Sequence, residues 1–219
     1  MLTKFRMLAA ASVVTLAAAP AFASTVSGGS AAGLDLTRNV TQGADAVVYS
    51  EATGVTVDAG VTVDFLVGTN LSVGVATSGI DTFASGQALT AGTYDSHLIH
   101  FDPNGRGSVI GAWDFGATIV AIILSNNGVQ TLLNDTDSLF GAAGTTYDDD
   151  IGRRTESNDS FTLTSGTSLA FDLRTNPNHV DNIRVLTEVA SVPLPASALL
   201  LLSGFGAMGA MRRKASKKA

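Results

Sequence analysis

The side chains of this 219-residue chain that could do chemistry are loop carboxylates, three histidines and a single tryptophan. Asp135 and Asp137, and the run Asp148-Asp149-Asp150 after Tyr147, put hard oxygen ligands where backbone carbonyls could complete a Ca2+ shell of about six to eight oxygens. Asp135, Asp137, Asp148 and Asp150 are therefore the calcium candidates, and a structural ion there is the one cofactor these residues suggest. Neither segment follows the EF-hand pattern, and three consecutive aspartates point in different directions and repel one another, which favours a solvated turn. His97 and His100 lie close to Asp95 and Asp102. On a strand, residues three apart face opposite sides, so without a bulge the two rings cannot share an ion, and one inward and one surface histidine are expected. His179 follows Asn176-Pro177-Asn178 and is expected in a solvated turn. Gly107-Ser108-Val109-Ile110-Gly111 has the wrong spacing for a nucleophile elbow, which argues against a serine hydrolase. No side chain is assigned a catalytic role. Trp113, in Gly111-Ala112-Trp113-Asp114-Phe115, would be exposed in a sugar platform and buried beside Phe115 in a core; the core position is expected.

The elements that must hold these groups read as strands separated by turns. Val55 to Asp58 and Val61 to Val67 alternate branched apolar and polar residues across Ala59-Gly60, the pattern of a half-buried hairpin, and Leu71 to Val75 continues it. Further strands are expected at Ser96 to Phe101, Gly107 to Phe115, Thr118 to Leu124, Phe161 to Thr164, Ser168 to Leu173 and Asp181 to Thr187, each bounded by Gly, Pro or Asn chemistry. Only Gly128 to Phe140 has room for a helical turn or two. Short strands at this spacing predict an all-β body, an antiparallel β-sandwich of jelly-roll type.

Both ends differ from that body. Lys4 and Arg6 precede an apolar stretch from Met7 to Ala19, then Pro20 and Ala21-Phe22-Ala23, the small-x-small pattern of a signal-peptidase site, with cleavage expected after Ala23. At the other end Ala196 to Met211 carries no charge over sixteen residues, roughly 24 Å of helix against a hydrocarbon core of about 30 Å. Extension upstream to Val192 and snorkelling of Arg212 and Arg213 make a single transmembrane helix feasible. The cations Arg212, Arg213, Lys214, Lys217 and Lys218 resist translocation and hold the C-terminus on the cytoplasmic side. All four lysines lie in these two ends. The interval 24–191 holds six arginines against all nineteen acids, a formal charge of −13, where the whole chain carries only −6. So acidic a surface repels nucleic acid and anionic lipid. Cysteine is absent, so no disulfide supports the fold.

Val192-Pro193-Leu194-Pro195-Ala196, followed by the apolar run and the basic tail, resembles the VPLPA variant of the PEP-CTERM sorting domain of exported Gram-negative proteins. The likeness covers about the last twenty-eight residues. It implies an exosortase-type membrane transpeptidase as partner, one that recognises the motif, cuts near it and releases or transfers the body toward the outer surface, often in polysaccharide-producing bacteria. The prolines fit that role mechanically, since each fixes φ and Pro195 disfavours a helical Leu194, keeping the motif extended. A GPI-type signal would end in its hydrophobic tail, and the Gram-positive wall signal would carry Thr and Gly where Ser197 and Ala198 stand. A retained single-pass anchor is the remaining rival. Residues 94–188 also resemble bodies that often precede such tails, a likeness that implies no activity.

Three segments are thus expected: a signal peptide over 1–23, an exported body over 24–191 whose part 24–90 is either a layer of the same sandwich or a lead-in, and the sorting domain over 192–219. The partners are signal peptidase, the exosortase, the inner membrane in transit, and extracellular polysaccharide at the destination. Nucleic acid is not among them. The expected function is that of a non-enzymatic surface or matrix protein; a carbohydrate-binding jelly-roll module and a polysaccharide hydrolase are the alternatives. A hydrolase of that kind would need two carboxylates about 5 to 10 Å apart.

Overall fold

The structure, a computed structural model, describes residues 27–58, 60–78, 86–125, 132–149 and 152–189. The signal-cleavage residues Ala21 and Ala23, the motif Val192 to Ala196, the expected membrane span and the basic tail Arg212 to Lys218 lie outside them. Among the described residues no helix is long and apolar enough to cross a membrane.

Strands dominate. In chain order they are β1 (Ser27–Ser30), β2 (Asp35–Leu36), β3 (Val47–Val57), β4 (Thr62–Val63), β5 (Phe65–Leu66), β6 (Ala76–Ser78), β7 (Gln87–Ala88), β8 (Gly92–Phe101), β9 (Gly107–Asp114), β10 (Ile119–Leu124), β11 (Thr146–Tyr147), β12 (Ser160–Leu163), β13 (Ser168–Thr175) and β14 (Asp181–Glu188). Two single-turn helices, α1 (Leu132–Asp135) and α2 (Asp137–Phe140), fall within the one interval that had room for them. Six strands form one sheet in the order β1-β3-β8-β14-β10-β5, four form a second in the order β6-β12-β13-β9, and β2/β11 and β4/β7 are small pairs. The described pairs are antiparallel apart from β1/β3 and β2/β11.

The apolar residues explain this arrangement. Ile99 and Phe101 of β8, Ile122 and Leu124 of β10, and Ile183 and Val185 of β14 join Val109, Phe161, Leu163, Leu169, Phe171 and Leu173 of the second sheet in one cluster. Phe65 meets Phe161 edge to face, with centroids 5.1 Å apart, so the two sheets contact through their largest side chains. The alternate residues Leu98, Ala121, Ile123 and Leu186 pack on the opposite face of the six-stranded sheet, against Leu133 and Phe140 of the helical turns and against Ala31 and Leu36. That sheet is therefore covered on both faces. Sheets so covered need near-continuous apolar strands, which is the character of Ile119 to Leu124.

Two local expectations are corrected. Val55–Val57 and Val61–Val67 do not pair as a hairpin: the first closes the eleven-residue β3 on β8, while the second divides into β4 on β7 and β5 on β10. Leu71 to Val75 forms no strand, only an isolated bridge from Leu71 to Val67 and a turn that leads to β6. Alternation marks the face that a residue occupies but not the strand it pairs with. β3, drawn from the first ninety residues, hydrogen-bonds along β8 within the larger sheet.

Candidate functional site

Among the described residues, two buried groupings of charged side chains stand out. The first lies on the helix-covered face of the six-stranded sheet. Period-two alternation on β14 sends Ile183 and Val185 to one side and Arg184 to the other, where it is fully buried. Its Nε and Nη2 donate to the two carboxylate oxygens of Glu51 on β3 at 2.7 and 2.8 Å. Nη2 also donates to Asp137 at 2.7 Å, and Nη1 to the Leu133 carbonyl and the Thr136 hydroxyl. Glu51 in turn accepts from Tyr147 Oη at 2.7 Å and Ser96 Oγ at 2.9 Å. Burial alone would raise the Glu51 carboxyl; the Arg184 guanidinium overcomes it and holds the group ionised, below its ordinary range. Burial and the nearby Glu51 charge push the Tyr147 phenol upward, so it stays protonated and donates. Arg153 completes the group, paired with Asp137 and set 4.7 Å over the Tyr147 ring.

The second centre lies where the two sheets converge. The turn Glu156-Ser157-Asn158-Asp159 is closed by Asp159 N–H donating to the Glu156 carbonyl at 3.0 Å, and leads into β12. Asp181 opens β14, facing Phe101 at the end of β8. Glu156, Asp159 and Asp181 are all buried, and one carboxylate oxygen from each lies within 4.8 Å of the others. The oxygens of Asp159 accept from the backbone N–H groups of Glu156 and Arg174. Glu156 Oε1 accepts from Asn176 Nδ2 at 3.2 Å and has His179 Nδ1 3.4 Å away. Among the described residues no N–H or O–H group donates to Glu156 Oε2 or to either oxygen of Asp181, and the Asp181 and Glu156 carboxyls lie against each other. Burial, partly offset by its two backbone donors, pushes Asp159 up to about 7. Asp181 is raised well above its ordinary value by burial and then by the two neighbouring carboxylates.

Other residues singled out from the sequence take separate places. Asp137 binds Arg184 and Arg153, Asp148 binds Arg38 at 3.0 Å, Asp135 is exposed on α1, and Asp150 lies outside the described residues. Of the expected calcium ligands, Asp137 and Asp148 thus neutralise different arginines. His97 and His100 do face opposite sides of β8. His100 is buried between Asn182 Oδ1 at 2.8 Å and Thr41 Oγ1 at 2.7 Å; His97 is half-buried beside Phe115 and Thr187. Asp102 accepts from the backbone of Asn39 and Thr41, and Asp95 from Gly54, so both order loops. His179 is drawn against Glu156 and is not the free turn residue expected. Trp113 packs partly buried on the core between the sheets.

No family model, curated protein or solved structure matches this chain. The chemistry must therefore be taken from the side chains themselves. An open pocket of about 450 Å3 runs between the loop at Gln42 and the β8–β9 turn, with Arg106 as the charged group in its lining. The convergent carboxylates lie elsewhere, turned inward. Sequence reading missed Glu156, Asp159 and Asp181 as a group. Two acids three apart around a turn, and an acid opening an otherwise apolar strand, were the available signals; nothing local links one to the other.

Proposed function

We propose that this chain is an exported cargo whose body is displayed or released at the cell surface or in the extracellular matrix, after sorting at Val192 to Ala196 by an exosortase-type transpeptidase. The observation that carries this reading is the order motif, apolar run, basic tail at one end and charged, apolar, small-x-small at the other, enclosing a body that holds every acid and no lysine. The body is read as a β-sandwich with a binding or display role. A structural use of its converging acids supports this over hydrolysis, since those acids are buried, Glu51 against Arg184 and Glu156, Asp159 and Asp181 turned toward one another inside the fold. A sugar-binding module would present aromatic faces, whereas the Tyr147 ring lies under Arg153 and Trp113 packs on the core.

The test is the mature C-terminus, measured by intact mass in a host with and without an exosortase. Loss of the residues after the motif only when the enzyme is present is the expected result. An unchanged Lys218-Ala219 end in both hosts would remove the sorting assignment.

A further inference from the structure

We propose that Glu156, Asp159 and Asp181 form a divalent-cation site, suited to Ca2+, that clasps the ends of the two sheets. Three buried carboxylates meet there, with His179 against Glu156. Several ionised carboxylates cannot stay together away from water without a cation or protons.

The free valences point to the cation. Asp181 is 0 % exposed, and among the described residues no N–H or O–H donates to either of its oxygens. Among the described residues no donor reaches Glu156 Oε2 either, while Oε1 is anchored by Asn176. Asp159 is fixed by two backbone amides yet keeps lone pairs on both oxygens. The set is thus pre-oriented, with the outer lone pairs left open. Two ligands on opposite sides of a Ca2+ ion at about 2.4 Å each are at most about 4.8 Å apart, and the three oxygens fall within 4.8 Å of one another. The donors are all hard oxygen, with up to six carboxylate oxygens available. Mg2+ holds its waters and demands an octahedron, which a buried carboxylate cluster accommodates poorly. Glu156 and Asp159 lead into β12 of the four-stranded sheet and Asp181 opens β14 of the six-stranded one, so an ion here would join the two.

The site does not depend on how the chain is sorted, and its test uses the full-length chain in mild detergent. Thermal unfolding is followed by the fluorescence of Trp113, the only tryptophan. From an EDTA-treated sample near neutral pH, saturating Ca2+ should raise Tm by roughly 5–10 °C, and renewed EDTA should reverse it. Asp181→Asn and Glu156→Gln should each lose that response, and Asp114→Asn, an exposed acid, should keep it. Should one of the two site variants not fold, the other decides. No rise with Ca2+, a rise with Mg2+ alone, or a rise that persists in both site variants would overturn the assignment. A Tm that climbs on acidification with no response to Ca2+ would show that the three carboxylates share protons instead, which also overturns it.

Discussion

Arg184 has donors on all three guanidinium nitrogens engaged inside the protein, by Glu51, Asp137, Thr136 and the Leu133 carbonyl. A buried pair of this kind contributes little over a well-packed apolar replacement, but breaking it leaves an uncompensated charge. Arg184→Met should therefore cost about 3–5 kcal/mol in denaturant unfolding, and adding Glu51→Leu should restore part of that loss rather than add to it. Additive losses would show that the two residues act separately. Asp64 offers a second test. Buried on the strand side, it accepts from Leu124 N–H at 2.8 Å, and burial raises its carboxyl to about 7 from 3.8. A folded pKa above the unfolded one means that the folded state binds the extra proton, so the contribution is full below about pH 4 and is lost as pH rises to 7. Asp64→Asn should thus gain stability over the wild type across that window, by on the order of 4 kcal/mol at its upper end. A difference that stays flat with pH would refute the assignment. Neither residue could be placed from its neighbours in sequence: Arg184 alternates with Ile183 and Val185 and reads as a solvent-facing position until a second layer covers that face.

At the scale of elements, strands whose residues alternate or run apolar were legible. The expected strands at Ser96 to Phe101, Gly107 to Phe115, Thr118 to Leu124, Phe161 to Thr164, Ser168 to Leu173 and Asp181 to Thr187 each coincide within a few residues with β8, β9, β10, β12, β13 and β14. β3 was half missed, because its register shifts between Ser50 and Ala52 and again before Val55, where Gly54 takes φ 65°, and those irregularities break the period-two pattern. Partners were not legible at all. The long β3/β8 and β8/β14 pairings join residues far apart in sequence, and turn chemistry reports only on adjacent strands. β1 shows how close such packing is: a Cβ on Gly28 would lie 2.9 Å from the Trp113 ring. Gly28→Ala should displace that indole, costing about 1–3 kcal/mol and shifting its emission. Unchanged emission and stability would mean that β1 does not press on Trp113.

For the whole molecule, charge and lysine distribution carry the argument. If both termini are removed, the mature body keeps no lysine, and its only amine is the new N-terminus. An amine-reactive label should then add once per molecule to the exported protein under denaturing conditions. A retained tail adds Lys214, Lys217 and Lys218 to that count, so four labels per molecule would signal an uncleaved anchor.

The amino-acid order by itself determined the strand-rich body, its acidity, the two distinctive ends and the opposed faces of His97 and His100, since each follows from local period, composition or spacing. Only the tertiary structure decided which strands pair, that the six-stranded sheet is covered on both faces, and which carboxylates converge. The reason is common to all three. A carboxylate's role depends on what charge or dipole lies within a few ångströms: Arg184, the partner of Glu51, stands 133 residues away in sequence, and the neighbours of Asp181 come from the turn before β12, all brought together by burial of the two apolar clusters.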